Sequence, residues 1–266
     1  YRVSVGRRKT DLKPADPGIG SVRRAYFYVV SLAALMMAAV GFTFIAADVL
    51  DRLFRDAISG SNAKLAAGIS MVVVGLPLWL FHWRLVTRYM REIPVEARSV
   101  LRKIYIYVVL GVSLGVVMSG GVGVLHWAFG TEGFGGFPLA AALLFAAVFA
   151  FHWRIESGEG QPTPETLEVR RLYVYAVSAV TLSIAAVGVA LLLNSLLREA
   201  YESLTSAQVL SRKDQVFSSE QVRDSLAMAL VAAPAWGAHW LYLARNDIGS
   251  VLRQLYLYGF AILGGV

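Results

Sequence analysis

An all-α bundle of membrane-spanning helices is the fold class that this sequence predicts, and three observations carry the prediction. Hydrophobic residues make up 57% of the 266 positions, and 24 glycines bring the apolar share to about two-thirds, against roughly 45–50% on the same count in soluble domains. Only 16% of residues are charged, against about 25% in soluble proteins. The apolar residues also fall in uninterrupted stretches of bilayer length. No cysteine is present, which excludes a disulfide framework, a Cys-ligated zinc and an iron–sulfur cluster.

A spanning helix needs about 20 mostly apolar residues, because the hydrocarbon core is about 30 Å thick and a helix rises about 1.5 Å per residue. Residues 25–47 form the first such stretch. It starts too far into the chain for a signal peptide and lacks a cleavage site, so it reads as a retained span. Stretches 65–81, 104–125, 134–151 and 172–197 follow, all without charge. The sixth, 225–244, is interrupted by His239 but by no Asp, Glu, Lys or Arg. A seventh starts at Leu255 and is still apolar at Val266. At least seven spans are therefore expected, with an eighth beyond the last residue and further residues ahead of Tyr1.

Orientation follows from the count of Lys and Arg on each side. The side with the N-terminal tail holds 18 basic residues and the other side 7, while the acidic residues divide 9 and 9. The positive-inside rule then places the N-terminus in the cytoplasm and the long loop 198–224 outside. The tail carries Arg7, Arg8, Lys9 and Lys13. It is expected to lie against anionic headgroups, at about 1 kcal/mol per charge, and not to bind nucleic acid.

An internal repeat organises the chain. Arg23-Arg24-Ala25-Tyr26-Phe27-Tyr28 opens span one, and Arg102-Lys103-Ile104-Tyr105-Ile106-Tyr107 opens span three. Arg170-Arg171-Leu172-Tyr173-Val174-Tyr175 opens span five, and Arg253-Gln254-Leu255-Tyr256-Leu257-Tyr258 opens span seven. Ser99-Val100-Leu101-Arg102 recurs as Ser250-Val251-Leu252-Arg253. Gly41, Gly120 and Gly188 each lie 13 residues after the second tyrosine of their motif. The even spans close on a second motif, Pro77-Leu78-Trp79-Leu80-Phe81-His82-Trp83 and Pro234-Ala235-Trp236-Gly237-Ala238-His239-Trp240. Its middle copy, Ala147-Val148-Phe149-Ala150-Phe151-His152-Trp153, lacks the proline and has Phe149 in place of the first tryptophan.

The unit is a two-helix hairpin, repeated in parallel because two spans return the chain to the same side. The expected divisions are a basic tail (1–22), three hairpins (23–97, 98–163 and 164–248) and the start of a fourth (249–266). These paired motifs resemble a family of bacterial integral membrane proteins catalogued as a domain of unknown function, over nearly all of residues 23–266. The resemblance implies a multi-helix fold of repeated hairpins in a bacterial cytoplasmic membrane, and no established activity.

Tyrosine and tryptophan favour the bilayer interface and arginine anchors to phosphate, so both motifs read first as packing and anchoring. Trp79, His82 and Trp83 share a helix face. His82 could bond a tyrosine or a carbonyl of the next hairpin, and Arg23 could stack on Tyr26. Mid-span glycines let helices approach closely, and Gly111 with Gly115 would add to this.

A b-type haem is the sharper alternative, because His82, His152 and His239 lie near one depth and a membrane haem needs two facing histidines. Against it, each histidine is followed by a bulky tryptophan, and His126 stands alone at the other face. A transporter for a neutral or lipid-like solute is a further alternative. The spans hold no buried charge, only small polar groups: Thr43, Ser70, Ser113, Ser119, Thr181, Ser183 and Asn194. The loop 130–136 is glycine-rich without a phosphate-cradle motif. Asp48 with Asp51, and Glu199 with Glu202, read as solvated helix ends. Pro94 and Pro164 suit first turns of helices that extend beyond the spans, and Ser218 with Gln221 has capping-box spacing. The favoured reading is a non-catalytic module without a cofactor, a scaffold or accessory subunit whose partners are the lipid bilayer and other membrane subunits.

Overall fold

The computed structural model describes residues 17–54, 62–92, 99–205 and 220–264, which are helical almost throughout. The helices are α1 (Pro17–Phe54), α2 (Asn62–Glu92), α3 (Val100–Ala128), α4 (Gly136–Gly158), α5 (Pro164–Thr205), α6 (Glu220–Gly237) and α7 (Val251–Gly264). A π-helical segment, Ala238–Ala244, continues α6 without a break. Six helices, α1 to α5 and α6 with its π-helical continuation, are long and apolar enough to cross a membrane, and they coincide with the first six apolar stretches, α4 starting two residues inside its stretch. The seventh span is represented by α7, which at 14 residues falls short of the roughly 20 needed. The basic tail, Pro94 with Glu96 and Arg98, the capping-box serine Ser218, and the side chains of Glu199 and Glu202 lie outside the described residues.

Local sequence explains where the helices begin. The recurring Ser-Val-Leu-Arg is an N-cap: Ser99 Oγ accepts the Arg102 amide at 3.3 Å, and Ser250 Oγ accepts the Arg253 amide at 3.2 Å. Pro164 sits in the first turn of α5, which starts well ahead of its apolar stretch as expected. Thr163 and Thr166 bond reciprocally across that turn, each amide donating to the other's hydroxyl.

The helices pack first as hairpins, α1 on α2, α3 on α4 and α5 on α6. The hairpins then interleave. Helix α4 lies against α1 as well as α3, α6 lies against α3 as well as α5, and α7 lies against α5.

Two kinds of packing hold this arrangement. Toward the middle and the non-motif end the interface is made of small residues. A Cβ on Gly41 would stand 2.7 Å from the Gly68 carbonyl oxygen, one on Gly120 2.6 Å from that of Pro138, and one on Gly188 2.9 Å from the Ala229 nitrogen. These three equivalent glycines are contact points inside their own hairpins. Gly111 and Gly115 are not: an added Cβ would meet only Tyr173, at 4.0 Å, from Gly111 and nothing within 4 Å from Gly115. Gly115 instead lines a cleft of about 340 Å³ with Thr43 and Ser119. At the motif end the core is aromatic, formed around Tyr28, Tyr105, Tyr107, Tyr173, Tyr175 and Tyr256.

The other end of the bundle is tied by polar side chains. Asp51 of α1 accepts the Gly136 amide at 2.8 Å and so caps the start of α4. Asp48 pairs with Arg52 at 2.7 Å. Arg223 of α6 donates to the Phe129 carbonyl at 2.8 Å, and His126 lies between Glu132 and Asp224. The Asp48 and Asp51 side chains are thus tied to protein groups rather than standing as a solvated helix end.

Candidate functional site

The three repeated histidines share one geometry. Each ring Nδ1 faces the carbonyl four residues earlier in its own helix: His82 on Leu78 at 2.9 Å, His152 on Val148 at 2.8 Å and His239 on Ala235 at 2.9 Å. A carbonyl oxygen can only accept, so Nδ1 carries the proton and Nε2 presents a lone pair. That lone pair meets the first motif tyrosine of the same hairpin. Tyr105 reaches His152 Nε2 at 3.4 Å and Tyr173 reaches His239 Nε2 at 3.1 Å. In the first hairpin Tyr26 meets the His82 ring edge-on at 6.2 Å. The tyrosine therefore comes from the histidine's own hairpin, not from the next one.

The joints between hairpins use the remaining motif residues. Each second tyrosine packs on the first tyrosine of the following hairpin. Tyr28 lies 5.5 Å from Tyr105, Tyr107 stacks on Tyr173 at 4.9 Å, and Tyr175 lies 6.0 Å from Tyr256. The closing tryptophan joins them, with Trp83 6.1 Å from Tyr105 and Trp240 stacked on Tyr256 at 4.8 Å. The opening arginine of the next hairpin then covers that tryptophan. Arg102 lies 5.6 Å from the Trp83 ring centre and Arg253 5.4 Å from that of Trp240. These arginines stack on the preceding hairpin's tryptophan rather than on the tyrosine three residues ahead. Trp236 Nε1 donates to the Tyr256 hydroxyl at 2.9 Å. Its counterpart Trp79 turns its buried indole N–H toward Tyr105 without closing a hydrogen bond.

Carboxylates at the helix ends complete the network, and the motifs alone did not single them out. Tyr107 donates to Glu156 at 2.6 Å, and Lys103 pairs with the same carboxylate. Tyr175 donates to Asp247 at 2.9 Å, and Arg171 pairs with that one at 2.7 Å. In the second and third hairpins the second basic residue and second tyrosine of the motif thus share one acid. Glu156 lies four residues after His152, whereas Asp247 lies eight after His239, beyond the π-helical segment. The unequal spacing hides the equivalence from a sequence comparison. Arg102 and Lys103 both reach Glu159 as well. Burial raises the proton affinity of Asp247, but its hydrogen bonds from Arg171, Ser250 and Tyr175 outweigh this and hold its carboxyl below the usual range.

The outermost motif residues have fewer neighbours. Tyr26 is 58% and Tyr258 67% exposed, while Trp83, Trp153 and Trp240 are half-buried. Thr43, Ser70 and Thr181 each bond a carbonyl four residues back in their own helix, at 2.7 to 2.9 Å. An iron bound by His152 or His239 would have to displace Tyr105 or Tyr173 from Nε2. Among the described residues no group of three or more His, Asp or Glu could hold a metal ion.

Interleaved hairpins of bilayer-length apolar helices, locked at one end by their own repeated aromatic and basic residues, define a multi-pass helical membrane protein. The chain belongs to the DUF5671 family, a domain of unknown function, whose model matches residues 24–134 and 171–266. The match leaves 135–170 uncovered, a narrower reach than the sequence motifs imply. No curated protein and no solved structure matches the chain.

Proposed function

We propose that this chain is a non-catalytic membrane module, a scaffold or accessory subunit of a larger assembly in the bacterial cytoplasmic membrane, with its motif end at the cytoplasmic face. One observation carries the reading: the groups able to do chemistry are spent on one another. Histidine nitrogens bond carbonyls and, in the second and third hairpins, tyrosines, and the second tyrosines of those hairpins bond carboxylates. Two opening arginines cover tryptophans. Such a network fixes the shape of the bundle end and engages these groups in packing the hairpins together. The excess of basic residues at that end supports the orientation.

The test is purification of the tagged chain from native membranes in mild detergent, followed by mass spectrometry. A membrane partner in stoichiometric amount is the expected result. A monodisperse chain that by itself turns over a substrate would overturn the proposal.

A further inference from the structure

The joint between the second and third hairpins departs from the others in three ways. Phe149 stands where Trp79 and Trp236 stand in the other copies. Helix α6 widens into its π-helical segment opposite that position. Arg170, the opening arginine of hairpin three, makes no hydrogen bond or ion pair among the described residues. Its counterparts are engaged: Arg102 with Glu159, and Arg253 with the Ala244 carbonyl at 2.9 Å.

Space opens where the contacts are missing. A polar cleft of about 190 Å³ is lined by Tyr107, Trp153, Glu156, Ser157, Gln161 and Arg170, among others. The turn at Gly160, with φ of 79°, forms part of its wall. Beside it runs an apolar groove of about 300 Å³, lined by Phe149 and His239 and sharing Trp153 and Leu243 with the cleft. Glu156 is already neutralised by Lys103, and Glu159 by Arg102. The uncompensated charge in the cleft is therefore the single positive charge of Arg170. Phe149, Trp153, Glu156, Ser157, Gln161 and Arg170 fall within 135–170, between the two stretches matched by the family.

A cationic polar cleft that continues into an apolar groove is complementary to an amphiphile with one negative charge at its head. We infer that this joint binds an anionic phospholipid. Arg170 takes the phosphate, Ser157 and Gln161 hydrogen-bond the headgroup, and an acyl chain lies along Phe149 and Leu243 past Trp153. The lipid fills the place that tryptophan and arginine fill at the other joints.

Native mass spectrometry of the full chain in detergent tests this, with phosphatidylglycerol, phosphatidylcholine or inorganic phosphate as probes. Wild-type protein is expected to retain phosphatidylglycerol about fivefold better than phosphatidylcholine, the worth of one interfacial charge. Arg170→Gln should abolish that preference, whereas Arg154→Gln, which alters an exposed arginine of the same end, should keep it. Phe149→Trp restores the motif and should reduce retention of both lipids by closing the groove. Arg170→Gln breaks no internal bond, so its fold is not at risk. Equal retention of the two lipids, or equal loss in both arginine variants, would overturn the inference. Displacement of phosphatidylglycerol by millimolar inorganic phosphate would overturn it too, by showing a free-phosphate site.

Discussion

Replacing Gly120 by alanine tests the packing inside the hairpins most directly, because the same helix supplies its own control. The added Cβ would lie 2.6 Å from the Pro138 carbonyl oxygen and 2.9 Å from the Ala142 nitrogen. Both are backbone atoms of α4 and cannot turn aside. Restoring an ordinary 3.4 Å contact requires α3 and α4 to part locally by about 0.8 Å. A gap of roughly 0.5–1 Å forfeits a quarter to a half of each atom-pair attraction, and overpacking of this kind costs about 1–3 kcal/mol. Alanine also favours a helix over glycine by about 1 kcal/mol, which would blur a single measurement. Gly115→Ala on the same helix gains the same propensity and meets no atom within 4 Å. The difference between the two variants isolates the clash. At roughly 2–4 °C per kcal/mol, thermal unfolding in detergent should separate their midpoints by about 2–12 °C, with Gly120→Ala the lower. Coincident midpoints would refute the close approach of α3 and α4 at Gly120.

Three other perturbations address the motif end. Tyr173→Phe removes the hydroxyl from His239 and leaves a buried acceptor unsatisfied, so it should cost about 1–3 kcal/mol in the same assay; an unchanged midpoint would show that the pair contributes nothing. Asp247 is held below its usual pKa, so its contribution is complete above the unfolded value of about 3.9 and is lost as pH falls through the lower folded value. Melting curves between pH 3 and 7 should therefore show destabilisation setting in below about pH 4, and Asp247→Asn should remove that part of the pH dependence. Ser99→Ala and Ser250→Ala each remove an N-cap and should cost about 1 kcal/mol, measured as midpoint shifts of similar size.

The spans were legible in the sequence because a bilayer demands long apolar runs, and those six helices stand where the runs are. The glycines at equivalent positions were legible for a related reason: a repeat that keeps glycine at one register marks a close approach. Gly111 and Gly115 carried a similar local signal and make no close helix contact, since spacing alone does not say which side of a helix meets a neighbour's backbone. The histidine and tyrosine motifs announced a common role but not its partners. Residues three or four apart on one helix are readable, whereas the Tyr173–His239 bond joins two helices whose relative rotation the sequence does not state. Glu156 and Asp247 escaped for a sharper reason. Their offsets from the histidine differ by one helical turn, because Glu156 is still within α4 whereas Asp247 lies in the turn beyond the π-helical segment, and neither place is marked in composition.

The interleaving of hairpins explains why one departure has effects on two sides. Each closing helix from α4 onward packs on its own opening helix and on that of the preceding hairpin, so its tryptophan contributes to a joint rather than to a single unit. At the first joint Trp79, Trp83 and Arg102 fill the space around Tyr105. At the second, Phe149 stacks on Trp153 at 6.0 Å as Trp79 stacks on Trp83, but it has no indole N–H to offer Tyr173. Tyr173 keeps its histidine and its stacking on Tyr107, so the joint holds while its rim stays open. A Phe149→Trp chain that melts higher than wild type in lipid-free detergent, and loses that advantage when phosphatidylglycerol is added, would show that ligand and side chain compete for one space. Identical shifts with and without the lipid would show instead that the tryptophan and the lipid act at separate places.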